Sequence, residues 1–171
     1  MGFEAHFFFA KMENELKNIV EEYFKSSEYK IVDLLLSNEN GAKILEIFAD
    51  NIEGIKIDDL VSINRELNEI VDTKLETSDV SKLIVSSPGA ERSFRYLWQL
   101  RKHIERVLEI ELNDGEKIEG KLISVEEIPA EIIFLEITKK EKSKKATIET
   151  RTLNFKDIKE SRVKISFSNK K

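Results

Sequence analysis

The run Leu83-Ile84-Val85-Ser86-Ser87-Pro88-Gly89 constrains this chain's fold more than any other stretch. A short apolar segment breaks off abruptly in Ser-Ser-Pro-Gly. Only two prolines and six glycines occur in 171 residues, and one of each is adjacent here. Proline holds φ at about −65°, and glycine accepts positive φ without steric cost. Pro-Gly therefore suits the two central positions of a type II turn, so a strand must end at this point. Two readings follow. The hydroxyls of Ser86 and Ser87, the backbone N–H groups around Pro88 and Gly89, and the guanidinium of Arg92 are the parts of an anion- or partner-contacting loop. They equally make a sound turn that only leads the chain out of a buried strand.

Upstream, periodicity supplies the elements this strand pairs with. Met12, Leu16, Ile19, Val20, Tyr23 and Phe24 recur at three- and four-residue steps, which predicts a helix over about 11–25. Residues 29–36 and 43–49 read as strands, and Asn40-Gly41 between them is a hairpin signal. Asp58 is the expected cap of a second helix running to about Leu75, with Leu60, Ile63, Leu67, Ile70 and Val71 on one face. Residues 82–86 form the third strand. The order is α-β-β-α-β, and two helices on one face of a three-stranded sheet would enclose one core. Residues 1–11, with Phe7-Phe8-Phe9, are expected to be an extension ahead of the domain or a peripheral staple. His6 stands where a myristoylation motif requires Ser or Thr, and Glu4 precedes an apolar run too short for a signal peptide.

Downstream the texture changes. Residues 94–106 read as a linker and short helix containing Trp98, Leu100 and Ile104, with Trp98 expected to pack. Short strand-like runs follow at 107–112, 118–125, 132–138, 146–152 and 163–167, with a turn at Asn113-Asp114-Gly115 and a 3-10 turn at 154–158. Five short strands in so little chain suggest a small barrel. The fold class expected is α+β. Residues 1–94 form an N-terminal α-β-β-α-β domain, and residues 95–171 form a C-terminal Sm-like or SH3-like β-barrel.

Charge separates the halves. Residues 1–94 hold 10 Lys and Arg against 19 Asp and Glu, a net of −9, and residues 95–171 hold 18 against 14, a net of +4. Such a step implies two domains with different electrostatic tasks, the basic one suited to nucleic acid. Lys139, Lys140, Lys142, Lys144 and Lys145 form a basic loop that is its candidate RNA-facing element.

Catalytic and metal chemistry find little material. Cysteine is absent, which removes disulfides and thiolate metal sites and fits the cytoplasm. His6 and His103 are the only histidines, so no metal site is expected. Ser86 or Ser87 as a hydrolase nucleophile lacks both a Gly-x-Ser-x-Gly elbow and an obvious base. No phosphate-cradling glycine loop occurs, so no cofactor and no small-molecule substrate are expected. No apolar run approaches the length of about 18 residues that spans a membrane.

Two resemblances sharpen the reading. Asp114-Gly115-Glu116-Lys117-Ile118-Glu119-Gly120-Lys121-Leu122 resembles the first motif of Sm-like barrels, where Gly120 would let a strand bend sharply. The downstream Asn and the Arg-Gly of Sm proteins are missing, which argues against uridine pockets and ring assembly. The whole, over about residues 13–167, resembles the RimP family of bacterial ribosome maturation factors. Val85 to Arg92 is similar to the family's Val-Ser-Ser-Pro-Gly-Leu-Asp-Arg-Pro, with Ala90-Glu91 replacing Leu-Asp and Ser93 replacing the last proline. Asp50 falls where the family ends its second strand in Asp. Ile57-Asp58-Asp59-Leu60 and Asp72 match its long helix, and His103-Ile104-Glu105-Arg106 and the segment 155–163 look like its later motifs. The resemblance implies a monomeric, non-enzymatic factor that binds the free small ribosomal subunit and helps a ribosomal protein join its RNA. Ser86, Ser87, Pro88, Gly89, Arg92, Asp50 and Asp72 are its candidate partner-binding or interdomain residues. The alternative is a general RNA-binding regulator built on an Sm-like barrel.

Overall fold

A computed structural model describes residues 3–40, 42–74, 80–139 and 147–165, which separate into two compact units, 1–88 and 89–171. In the first unit helix α1 (Phe3–Lys25) leads to β1 (Lys30–Glu39), β2 (Ala42–Asp50), α2 (Ile57–Lys74) and β3 (Val80–Ser86). The α-β-β-α-β order matches the sequence reading. The first helix starts eight residues earlier than its periodicity indicates, so residues 3–11 are part of α1. No glycine or proline interrupts the chain between Phe3 and Lys25, so nothing local stops the helix at Lys11.

The sheet is mixed, in the order β1-β2-β3, with β1 antiparallel and β3 parallel to the central β2. Glu39 pairs with Ala42 across a two-residue connection, and Asn40 takes the left-handed φ of 53° that a tight hairpin turn demands. A bulge at Val32 shifts the alternation of β1. Ile31 and Leu34, three residues apart, therefore both pack on the core opposite Ala49 and Ile47. Both helices contribute to that core: Leu16, Ile19, Val20 and Phe24 from α1, and Ile63, Leu67 and Val71 from α2. They cover Leu45, Ile47 and Ala49 of β2 and Leu83 and Val85 of β3. Burying each large side chain contributes about 1.5–3 kcal/mol.

Helix α2 starts one residue before its expected cap. Asp58 lies within the first turn, and Asp59 accepts a hydrogen bond from the Lys56 N–H at 3.0 Å. Asp59 thus reaches back to satisfy a donor ahead of the helix, as the third residue of a capping box does. Tyr23 ties α1 to α2 by donating its hydroxyl to Glu66 at 2.7 Å.

The second unit begins with a 3-10 helix (Leu97–His103) and continues through β4 (Val107–Leu112), β5 (Lys117–Glu126), β6 (Ile132–Lys139), β7 (Thr147–Asn154) and β8 (Ile158–Val163). The five strands form one antiparallel sheet in the order β7-β6-β5-β4-β8. The sheet is open, with β7 and β8 as its two edges. A second 3-10 turn (Phe155–Asp157) links those edges. Its backbone accepts hydrogen bonds from Asn113, at the β4–β5 turn, through the Asp157 and Lys156 carbonyls.

The end of the expected strand 163–167 lies outside the described residues; among those described, the last strand lies at Ile158–Val163, and Lys164 and Ile165 are not part of it. Its inward residue opposite Ile110 is Ser161, completely buried, and that polar residue broke the apolar alternation on which the sequence reading relied. The free edge of β8 is occupied by the chain entering the unit. The Ser161 N–H donates to Ser93 Oγ at 2.9 Å, and the Phe94 N–H donates to the Ser161 carbonyl at 3.1 Å.

At the β4–β5 turn Gly115 takes φ +90°, and the Glu116 N–H donates to Asp114 Oδ1. Arg151 of β7 holds Glu116 by two hydrogen bonds of 2.6 Å, a bidentate pair across the sheet. Gly120 lies where β5 passes close to β6. A Cβ there would sit 3.2 Å from Leu135 Cβ and 3.3 Å from the Glu136 carbonyl oxygen.

Gly120→Ala is therefore expected to destabilise the protein by about 1–3 kcal/mol through overpacking, read as a lower urea midpoint. A second expectation concerns pH. Partial burial and the Glu66 carboxylate raise the Tyr23 phenol well above its ordinary 10.0. The stabilisation is complete below that ordinary value and fades as pH rises beyond it, because the unfolded chain deprotonates first. The stability gap between the parent and Tyr23→Phe should narrow at alkaline pH, and a gap constant across that range would refute the assignment.

Candidate functional site

Parallel pairing decides where the Ser-Ser-Pro-Gly turn stands. Phe48 of β2 is opposite Ser86 of β3, so the carboxyl ends of both strands finish together. Asp50, the last residue of β2, lies just beyond Phe48 at that end. Ligand sites of open sheets with parallel strands characteristically lie outside these carboxyl ends. Gly89 takes φ +71°, the left-handed conformation that the turn reading requires, with open space where a side chain would stand. Ser87 and Gly89 are exposed, and Ser86, Pro88 and Arg92 are half-buried.

Several acidic groups lie around this end, with Lys30 paired across from Asp50. Ser86 Oγ donates to Glu46 Oε1 at 3.4 Å. Asp50 is buried and accepts from the Asn51 N–H at 2.9 Å, and Asn51 Nδ2 donates to Glu28 Oε2 at 3.2 Å. Partial burial and the carboxylates of Asp59 and Glu28 raise the Tyr29 phenol above its ordinary range. A small anion placed here would meet several carboxylates, whereas a cationic side chain would be attracted.

Asp72 does not join this group. It is exposed in the last part of α2, whose Asn64 reaches β3 near its carboxyl end. Eight residues of helix separate Asn64 from Asp72, an axial distance of about 12 Å. The helix runs back toward the amino end of β3, so Asp50 and Asp72 lie at different ends of the sheet. Arg92 belongs to the second unit.

Two contributors escaped the sequence reading. Asn64 Oδ1 accepts the Val85 N–H at 3.0 Å and so seals the edge of β3 one residue before Ser86. A polar residue flanked by Ile63 and Leu67 on the buried side of a helix is the available signal. Glu46 was hidden because its partner residue lies forty positions away.

In the second unit the outward face of β4, β5 and β8 lines a shallow groove of about 410 Å³ with Glu109, Glu111, Lys117, Glu119, Glu160 and Arg162. The charges there pair with one another. Lys159 meets Glu111 at 2.6 Å, Lys164 meets Glu119 at 2.5 Å and Arg162 meets Glu160 at 2.7 Å. Lys159 accordingly holds the Glu111 carboxyl below its ordinary range. Lys139 ends β6, while Lys140, Lys142, Lys144 and Lys145 lie outside the described residues. Among the described residues no cluster of three His, Asp or Glu side chains could hold a metal ion, and no helix is long and apolar enough to cross a membrane.

These features define a two-unit α+β protein: a helix-covered mixed sheet ending in a Ser-Ser-Pro-Gly turn, then a five-stranded antiparallel sheet. The family model described as the RimP N-terminal domain matches residues 19–91, a span that contains the turn. The chain is also 30% identical over 165 residues to the ribosome maturation factor RimP of Cytophaga hutchinsonii, covering 92% of this chain and 99% of that one. The chain belongs to the RimP family.

Loss of the Asn64 acceptor should be felt at the turn. Asn64→Ala leaves the Val85 N–H without its partner and should cost about 1–3 kcal/mol in urea unfolding. Asn64→Asp keeps an acceptor and should cost less. Equal effects would show that the bond does not stabilise β3.

Proposed function

We propose that this protein is a maturation factor for the small (30S) ribosomal subunit that binds the free subunit in the cytoplasm as a monomer and without catalysing a reaction. The observation that carries the reading is the likeness to a RimP protein along nearly the whole of both chains. In this reading residues 1–94 and 95–171 are two domains, and the second is an Sm-like barrel. The strand order β7-β6-β5-β4-β8, the close approach at Gly120 and the 3-10 turn before the last strand support that assignment.

The acidic first domain contacts a basic ribosomal protein surface through Ser86, Ser87, Pro88, Gly89 and Arg92, with Asp50 behind the turn. Glu28, Glu46 and Asp59 supply the complementary field. Asp72 serves the same partner only if the contact extends along α2. The basic domain approaches RNA, with Lys139, Lys140, Lys142, Lys144 and Lys145 as its cationic loop. The general RNA-binding regulator is the competing reading.

Sedimentation of the purified protein with isolated small subunits, large subunits and intact ribosomes at two salt concentrations separates these. Selective association with free small subunits is expected. Association with none of them, or equally with all, would overturn the proposal, and the second result would favour the RNA-binding regulator.

A further inference from the structure

The second unit's cations on the sheet are largely engaged. Lys117, Lys159, Arg162 and Lys164 pair with glutamates on the face of β4, β5 and β8, and Arg151 is held by Glu116. A different basic segment precedes the sheet. Residues 95–106 hold Arg95, Arg101, Lys102 and Arg106 against one acid, Glu105, in a chain whose net charge is −5. Lys121 of β5 pairs with Glu105, the segment's one acid. Arg101 meets Glu127 at 3.1 Å, but both are well exposed, and such a pair adds little and exchanges readily for a phosphate.

The same segment presents an aromatic stack. The rings of Tyr96 and Trp98 lie 6.1 Å apart with their planes only 14° from parallel. Tyr96 is 45% exposed, unusually open for a ring already stacked on another. The backbone beneath it is fixed from within. Gln99 is 2% exposed, and its Oε1 accepts hydrogen bonds from the Arg95 N–H at 2.9 Å and the Tyr96 N–H at 3.0 Å. The Gln99 N–H donates to the Tyr96 carbonyl at 3.1 Å. Gln99 therefore holds the Tyr96 N–H with its side chain and the Tyr96 carbonyl with its backbone N–H, so little order remains to be imposed when a ligand arrives.

The far end of the segment is held as firmly. Glu105 takes a left-handed φ of 72°, and its N–H donates to the Leu122 carbonyl at 2.8 Å. The Leu122 N–H donates to the Arg106 carbonyl at 2.9 Å. Arg106 is thereby pinned to β5 and exposed.

A half-exposed aromatic stack on a segment rich in cations is the combination that binds unpaired bases, the ring taking a base and the cations the phosphates along the strand. We propose that Tyr96 and Trp98, with Arg95 and Arg106, form a binding platform for single-stranded RNA. One base stacks on the open ring of Tyr96, and neighbouring phosphates meet the guanidinium groups. The choice of RNA over DNA rests on the proposed function; the platform itself does not.

Trp98 is the chain's single tryptophan, so its fluorescence reports on this site alone. The full-length protein is titrated with single-stranded oligouridylate and oligoadenylate of about ten nucleotides, a length within the range of such sites, and with an RNA duplex. Saturable quenching by the single strands and weaker binding of the duplex are expected. Tyr96→Ala should weaken single-strand binding about 5- to 150-fold, the range set by one stacked base, while Tyr96→Phe keeps the affinity. Arg106→Ala should lower the slope of affinity against salt by about 0.7. Unchanged affinity in Tyr96→Ala, equal binding of duplex and single strand, or no response of Trp98 to RNA would each overturn the proposal. No ribosome enters this titration, so its failure is distinct from failure of the subunit-binding reading.

Discussion

The parallel pairing of β2 with β3 is the constraint on which the first unit depends. A parallel partner cannot follow through a tight turn, so the chain must cross over, and α2 is that crossover. The crossover places the Ile63, Leu67 and Val71 stripe over Ile47 and Val85 and closes one side of the core. It also sets the amino-terminal half of α2 near the carboxyl end of β3, where Asn64 can take the Val85 N–H. Ser86 and Asp50 then finish at one end of the sheet because the strands run the same way. Their proximity follows from strand direction and needs no direct bond between them.

The second unit solves a different problem. A sheet of five short strands with one apolar face must curve to cover that face, and curvature needs a place where strands approach closely. Gly120 is that place, opposite Leu108 on one side and close to Leu135 and Ile137 on the other. The sheet does not close by strand pairing. The 3-10 turn instead links the two edges, and Asn113 holds it to the β4–β5 turn. Ser93 and Phe94 meanwhile satisfy part of the β8 edge that an open sheet would otherwise leave available.

Electrostatics divides the chain in a way that counting alone describes only partly. Of the first half's 19 acidic residues, Glu28, Glu46, Asp50 and Asp59 lie toward the end of the sheet where the turn leaves β3. The positive balance of the second half is locally cancelled over the face of β4, β5 and β8 by glutamate partners. The segment 95–106 carries four further cations, Arg95, Arg101, Lys102 and Arg106, against one acid, Glu105. A net charge thus located the basic half, but the structure distributes its cations between a sheet face lined with glutamates and the segment ahead of the sheet.

The order α-β-β-α-β, the hairpin at Asn40 and the end of β3 were legible in the sequence because each rests on local chemistry. Apolar periodicity marks a helix or strand whatever its neighbours, and Asn-Gly and Pro-Gly mark turns through their own dihedral preferences. The family resemblance was legible for a related reason, since Val85 to Gly89 is a contiguous motif. Tertiary structure alone decided the rest. The parallel direction of β3, the bulge that turns Ile31 and Leu34 to one face, and the burial of Ser161 each depend on partners far away in sequence. The start of α1 at Phe3 escaped periodicity because the contiguous Phe7-Phe8-Phe9 does not follow the three- and four-residue spacing that sets in at Met12. Asp72 was grouped with Asp50 by the family resemblance but ends elsewhere, because a crossover helix runs back along the sheet. Gln99 reads as an ordinary polar residue until the fold buries its amide beneath Tyr96, where desolvation obliges it to find the two backbone donors it holds.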